Sequence, residues 1–239
     1  QWLGDTLEQV AAEKAGIFVS GKPAVSSPQD PAARSVLEKE ANATRSTLEF
    51  IDEPLLGYGI SLPGEHQKWN AALAVAALHR LGLPLNADII RDGLTNVQWP
   101  GRFEIFRNGE TTIVLDGAHN PHASKVLAET WKSEFGDRRA ALVFSAVSSK
   151  DIRGILADVA PLASKIFICP VDTPRATPPE EIAAALPDAA PPHSIFPDFA
   201  EAFAAASAKN DPILIAGSLF LVGEARAALT DGIFQSSSQ

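Results

Sequence analysis

The sequence predicts an α/β protein whose second half is a doubly wound, Rossmann-like domain, and three observations predict it. After residue 100, nearly continuous apolar runs recur at 112–115, 140–147, 165–169 and 212–216. A strand can be apolar throughout only when both faces are covered, which is the condition of a parallel sheet between helices. Helical patterns separate these runs, as the crossovers between parallel strands require. Finally, Trp99-Pro100-Gly101 places two breakers after a helix and divides the chain into 1–99 and 100–239.

Taken in order, the first helix opens at Asp5, with Glu8 completing a capping box. Leu7, Val10 and Ala11 form its apolar stripe, and Gly16 stands where a left-handed C-terminal residue belongs. Short strands are expected over 17–19 and 23–26. A second amphipathic helix covers 31–43, with Ala32, Val36 and Leu37 at helical spacing. Residues 47–51 and 56–62 read as paired strands. Pro63-Gly64 is a turn, 65–81 an alanine-rich helix and 86–95 another short helix. In the second half, strands over 102–107, 112–115, 140–147, 165–169 and 212–216 interleave with helices over 121–135, 152–162, 179–186, 199–208 and 219–229.

The formal net charge of -9 repels phosphate backbones and anionic lipid, so neither nucleic acid nor a membrane is an expected partner. No apolar run approaches the roughly 18 residues of a spanning helix, and no signal-peptide pattern opens the chain; the cytoplasm is the expected compartment. One cysteine, Cys169, excludes an internal disulfide framework and a cysteine-rich zinc site, and it reads as a buried strand residue. Methionine is absent even at position 1, so the chain is expected to be a piece of a longer one. A monomer is the default expectation.

Several residues have the types and places that chemistry needs. Lys14 lies seven residues after Leu7 and four after Val10, extending the apolar stripe. It either snorkels or, if buried, is a neutral amine able to react with carbon dioxide and become a carbamate, a carboxylate-like metal ligand. Asp116-Gly117-Ala118-His119-Asn120-Pro121 follows a strand, and Asn120 and Pro121 suit the start of the next helix. Open parallel sheets bind ligands at that edge, where Asp116 can accept ribose hydroxyls and His119 can move a proton. The same residues would also serve simply to organise the turn. Gln67 and Asn70, one turn apart among alanines, either approach a flat ligand or line a solvated face. Arg102 is a candidate phosphate fork or a plain surface arginine. Lys150-Asp151 and Gly217-Ser218 end strands at the same edge and each could be a helix cap. His66, His79, His122 and His193 show no metal-ligand spacing.

Together these segments resemble one family. Leu3-Gly4-Asp5-Thr6, leading to Glu13-Lys14-Ala15-Gly16-Ile17-Phe18, is similar to the central-domain signature of the dihydrofolate synthase/folylpolyglutamate synthase family in the Mur ligase superfamily. His66-Gln67 with Asn70-Ala71, Trp99-Pro100-Gly101-Arg102-Phe103-Glu104, Asp116 to Pro121, and Gly217-Ser218-Leu219 resemble its later motifs, in the same order. The resemblance implies that 1–99 is the end of a central ATP-binding domain and 100–239 a Rossmann-like ligase domain. It implies an ATP- and magnesium-dependent ligase. The carboxylate of dihydropteroate or of a folate becomes an acyl phosphate, and the amine of L-glutamate attacks it. By the same resemblance, Lys14 is carbamylated and binds a magnesium ion; Asn70, Arg102 and Asp116 contact ATP, the aspartate from across a cleft; and His119 and Ser218 receive the glutamate, His119 acting in catalysis.

The chain departs from the family in one respect: no G-x-x-x-x-G-K-[ST] phosphate loop or shortened equivalent occurs in its 239 residues. Without that cradle the γ-phosphate is not positioned, so the chain alone is expected to be inactive. Two other readings stay open, a non-catalytic nucleotide-binding module and a Mur-type ligase for a peptidoglycan precursor.

Overall fold

The computed structural model describes residues 4, 6–148, 151–208 and 211–230. The chain forms two compact units, one of residues 1–61 with 65–97 and the other of 62–64 with 98–239.

In the first unit, α1 (Leu7–Ala15) starts one residue later than the sequence suggests. Thr6 is its N-cap: the Thr6 hydroxyl accepts the Gln9 amide and the Gln9 side chain accepts the Thr6 amide, both at 3.3 Å. Asp5, the expected cap, lies outside the described residues. Gly16 keeps a right-handed φ of -57°, so the helix ends without the expected left-handed residue. The buried face is Ala11 and Ala15, which leaves Leu7 and Lys14 exposed. Strand β1 (Ala24–Ser26) is followed by α2 (Pro31–Thr44), where the Asp30 side chain accepts the Ala32 amide and Pro31 fills the first turn. Ala33, Leu37 and Ala41, spaced by four, form its buried stripe. Strand β2 (Leu48–Phe50) then pairs parallel to β1, with Ala24 opposite Leu48 and α2 as the crossover. The expected pairing of 47–51 with 56–62 is therefore wrong, and neither 17–19 nor 56–62 is a strand. Ile17, Val19 and Leu56 are all exposed, and an apolar run with no neighbouring strand to pair with has no ladder to join. The unit closes with α3 (His66–Arg80) and α4 (Ala87–Asn96), the latter capped by Asn86.

The second unit opens with an antiparallel hairpin of β3 (Glu104–Asn108) and β4 (Thr111–Asp116). There follow α5 (Pro121–Phe135), β5 (Ala140–Phe144), α6 (Ile152–Val159), β6 (Ala163–Ile168), α7 (Pro179–Ala184), β7 (His193–Ile195), α8 (Phe199–Ser207), β8 (Ile213–Ala216) and α9 (Leu219–Leu229). The sheet order is β3-β4-β8-β5-β6-β7, and every pair from β4 to β7 is parallel. Successive strand residues face opposite layers. Leu142 and Phe144 join Leu127, Trp131, Ile155 and Ile182 of α5, α6 and α7. Ala141 and Val143 join Phe199, Ala202, Leu221 and Ala225 of α8 and α9. Both layers are sealed, as the apolar runs require.

The helix expected over 152–162 stops at Val159 and finishes as a 3-10 turn (Ala160–Leu162), because Pro161 has no amide to continue it. The strand expected over 140–147 leaves the ladder after Phe144, and Val147 instead bridges Ala176. Because β8 lies between β4 and β5, the chain passes over it after β4 and returns to fill the gap last. That reversal is a topological switch point, where open parallel sheets form their ligand crevice, at the carboxyl ends of β4, β8 and β5.

Candidate functional site

The crevice is built from backbone turns that lock onto one another. Asp116 ends β4; its Oδ2 accepts the Phe103 amide at 2.9 Å and its Oδ1 the Ala118 amide at 2.8 Å. Burial pushes the Asp116 carboxyl above its ordinary 3.8. The amides of Ala118 and Phe103, and the charges of Arg102 and His119, oppose that shift without cancelling it. Phe103 has φ +46°, a left-handed conformation unusual for a bulky residue, and the bond from Asp116 holds it there.

The segment before β3 is pinned at several points. The Gly117 amide donates to the Gly101 carbonyl at 2.8 Å, and the Gly101 amide donates to Glu104 Oε2 at 2.8 Å. The Glu104 carboxylate also accepts Arg226 Nε of α9 at 3.0 Å. Gly101 has φ +69°, and a Cβ there would lie 2.7 Å from Val222 Cγ1, so only glycine fits. Arg102 itself is exposed; its guanidinium lies 5.3 Å from the centre of the Trp99 ring and makes no hydrogen bond or ion pair among the described residues.

His119 follows Asp116 by three residues. Its Nδ1 lies 2.7 Å from the Gly117 carbonyl oxygen. A carbonyl only accepts, so Nδ1 carries the hydrogen and Nε2 is left for a ligand. Asn120 accepts the Ala123 amide and starts α5, with Pro121 in its first turn. The β8–α9 turn is stitched to the same loop, since the Gly217 amide donates to the Ala118 carbonyl at 3.1 Å. Buried Ser218 caps α9 by accepting the Phe220 amide at 3.2 Å. The structure thus brings Arg102, Asp116, His119 and Ser218 onto neighbouring turns of one unit.

Lys14 and Asn70 belong to the other unit. Lys14 is exposed on α1, so the burial that would favour its neutral amine is not seen. On α3, Asn70 Nδ2 donates to Gln67 Oε1 at 2.9 Å, and Gln67 is buried beneath it, so the two do share a face. Of the other edge residues, Lys150, and with it Leu3 of the first motif, lies outside the described residues. Asp151 caps α6 by accepting the Gly154 amide at 2.9 Å. Among the described residues no group of three or more His, Cys, Asp or Glu could hold a metal ion, and no helix is long and apolar enough to cross a membrane.

A loop with no motif of its own in the sequence also lies at this edge. After β6, residues 169–178 fold back over the end of β5: the Ser148 amide donates to the Arg175 carbonyl at 2.9 Å and the Thr177 amide to the Ala146 carbonyl at 3.0 Å. The Pro174-Arg175 pair signals a turn, but nothing local signals where it lands. Glu104 is likewise without a local signal: its role, bonding the Gly101 amide and Arg226 of α9, emerges only in the fold.

The sequence and the fold are similar to those of known proteins. Residues 101–219 match the family model described as Mur ligase, glutamate ligase domain. The dihydrofolate synthase/folylpolyglutamate synthase of Bacillus subtilis is 30% identical over 255 residues, which is 95% of this chain and 59% of that protein. The enzyme of the same name from Escherichia coli is 33% identical, over 92% of this chain and 55% of the relative. A solved structure of Mycobacterium tuberculosis folylpolyglutamate synthase complexed with ADP matches with a TM-score of 0.87 at 28% identity, covering 96% of this chain and 60% of the other. The matched residues, which run from the turn before β3 to the start of α9, make this sheet a glutamate-ligase domain of the Mur ligase class. Within that class the chain belongs to the dihydrofolate synthase/folylpolyglutamate synthase family. It spans between 55% and 60% of the length of these relatives.

Proposed function

We propose that this chain supplies the glutamate-binding machinery, and part of the nucleotide-binding machinery, of an ATP-dependent amide ligase. The reaction adds L-glutamate to dihydropteroate, to a folylpolyglutamate, or to both. The observation that carries this reading is the locked arrangement of Asp116, His119 and Ser218 at the sheet's switch point, in a chain alignable over 95% of its length with a synthase of that name. Solved relatives are complexed with ADP, and one has Mn, AMPPNP and L-glutamate bound.

ATP with magnesium, when bound, supplies the activation of the substrate carboxylate as an acyl phosphate. The residues of this chain fit a nucleotide. Asp116 offers a carboxylate at the strand end for ribose hydroxyls, and Arg102 offers an unpaired guanidinium fork for phosphate oxygens. Asn70 presents its amide from α3. His119, with Nδ1–H tied to the Gly117 carbonyl, has Nε2 free to take the proton that the glutamate amine must lose when it attacks. Ser218 keeps its hydroxyl hydrogen for a carboxylate at the start of α9. Lys14 is the residue whose carbamate would take a metal ion; its place in the Glu13-Lys14-Ala15-Gly16 motif supports this, and burial does not, since the side chain is exposed.

The test is ATP-dependent incorporation of labelled L-glutamate into dihydropteroate or a reduced folate, using the longest open reading frame that contains these residues. Incorporation abolished by Asp116→Ala and by His119→Ala supports the reading, and incorporation indifferent to both overturns it. The 239 residues alone are expected to incorporate none, and activity from them would show that the phosphate cradle is dispensable. A mass increase of one carbon dioxide on Lys14, lost in Lys14→Ala together with metal binding, tests the carbamate.

A further inference from the structure

Arg175 is held in place by its backbone and left unpaired by its side chain. Its carbonyl accepts the Ser148 amide at 2.9 Å, Ala176 bridges Val147, and the Thr177 amide donates to the Ala146 carbonyl at 3.0 Å. Three successive residues are thereby fixed against the loop that follows β5. The guanidinium carbon lies 5.9 Å from the centre of the Phe220 ring, and the Phe220 amide donates to the Ser218 hydroxyl. Arg175 is exposed, and among the described residues no carboxylate pairs with it. A guanidinium with a fixed backbone, an aromatic prop and no internal partner is arranged to receive a carboxylate from outside.

The strand order says which carboxylate. His119 follows β4, Ser218 follows the adjacent β8, and Arg175 folds over the end of β5 beyond them. Neighbouring strands are about 4.8 Å apart, so the line from His119 past Ser218 to the end of β5 covers roughly 10 Å. An extended dicarboxylic amino acid with its hydrogen bonds fills such a line. Its amine must face the activated carboxyl group, near His119, and its α-carboxylate stays beside the amine. The side-chain carboxylate then points away along the strand ends, towards Arg175.

We propose that Arg175 receives the side-chain carboxylate of the incoming amino acid and so sets the preference of this site for a dicarboxylic over a neutral amino acid. The proposal rests on the reading that the crevice takes L-glutamate, and it names the residue that selects it. Lysine is a poor substitute, because an ammonium cannot bind both oxygens of a carboxylate in parallel.

The experiment is a titration of the isotope-labelled chain with L-glutamate and, separately, with L-glutamine, followed by NMR and calorimetry. The wild-type chain is expected to favour L-glutamate, with the Arg175 Nε–H resonance moving for L-glutamate and not for L-glutamine. In Arg175→Gln, affinity for L-glutamate is expected to fall by about tenfold or more, as for loss of a charge-assisted hydrogen bond, while that for L-glutamine is unchanged. Arg175→Lys is expected to fall between the two. Because the side chain is exposed, both variants should melt with the wild type, and a thermal melt checks this. An unchanged preference in Arg175→Gln overturns the role of Arg175 and leaves the glutamate site standing. A wild-type chain that binds neither amino acid at the crevice overturns the glutamate-site reading, and the proposal with it.

Discussion

The Asp116 carboxylate accepts the Phe103 amide at 2.9 Å across thirteen residues of chain, and so joins the carboxyl end of β4 to the residue that precedes β3. The bond holds Phe103 at φ +46° while its ring packs 6.5 Å from Trp131 and 6.3 Å from Phe135. Asp116 is thus both a candidate ligand contact and the clamp on a strained backbone, and the two roles can be separated by pH.

Burial raises the Asp116 carboxyl above 3.8, the value expected when the chain is unfolded. Between 3.8 and the raised value, the folded chain holds a proton that the unfolded chain has released. Stability attributable to this group therefore falls as pH rises through that window and is flat above it. Asp116→Asn should remove this slope. It should also cost about 1–3 kcal/mol, because one of two backbone amides would face an amide donor instead of an oxygen. Urea denaturation of both proteins from acidic to neutral pH reads both effects. Parallel stability profiles for the two would show that Asp116 is not the group responsible.

Two glycines of the crevice should differ sharply in their tolerance of alanine. Gly217 has φ +102°, and a Cβ there would lie 2.3 Å from the Ser145 carbonyl oxygen and 2.5 Å from the Phe144 ring. Backbone cannot step aside cheaply, so Gly217→Ala should cost about 3 kcal/mol or more. At Gly117 a Cβ would lie 2.3 Å from Leu219 Cδ2, the end of a flexible side chain that is 59% exposed. Gly117→Ala should cost about 1 kcal/mol, since Leu219 can rotate into solvent. Equal losses in denaturant melts would contradict the contrast.

How much of this was legible in the sequence depends on whether the cause is local. Helices α5 and α9 have the bounds that their patterns predict, because Asn120-Pro121 and Ser218 are start signals written beside the helices they start. Strand β7 is not legible: it is three residues long, largely exposed, flanked by Pro192 and Pro197, and a strand only because Ile166 of β6 lies opposite His193. The apolar runs at 17–19 and 56–62 fail in the opposite way, having strand composition without a partner. At the crevice, Asp116 and His119 stand out because a strand leads straight into their turn. Arg175 and Glu104 do not, since each reaches the site through contacts with residues distant in the chain.

Cys169 offers a clean probe of unfolding. It is fully buried at the end of β6, and burial, with smaller contributions from Glu224 and Asp198, pushes its thiol up to about 12. At mildly alkaline pH almost no thiolate exists in the folded chain, and no reagent can reach the sulfur. Alkylation of the single cysteine should therefore be negligible in native buffer and complete in strong denaturant, with a rate that follows the population of opened chains. Prompt native labelling, read by mass spectrometry, would mean that the β6 end opens readily.

Two hydroxyls near the crevice should be replaceable with a gain. Ser145 Oγ and Thr177 Oγ1 are buried and, among the described residues, have no hydrogen-bond partner, although the backbone around both is well bonded. A buried hydroxyl without a partner costs about 1–3 kcal/mol relative to its place in water. Ser145→Ala and Thr177→Val remove the hydroxyl with little change of shape and leave the Thr177 amide free to donate to Ala146 as before. Each should be neutral or stabilising by about 1 kcal/mol in urea melts, and the effects should nearly add if the two hydroxyls are independent. A loss of more than about 1 kcal/mol in either variant would mean that its hydroxyl bonds a tightly held water in solution. Ser145 lies directly against the Gly217 turn, so the outcome there also bears on ligand binding. A stabilised Ser145→Ala that loses L-glutamate affinity would mark a hydroxyl kept unpaired for the ligand, and one that retains it would leave selection to Arg175 and Ser218.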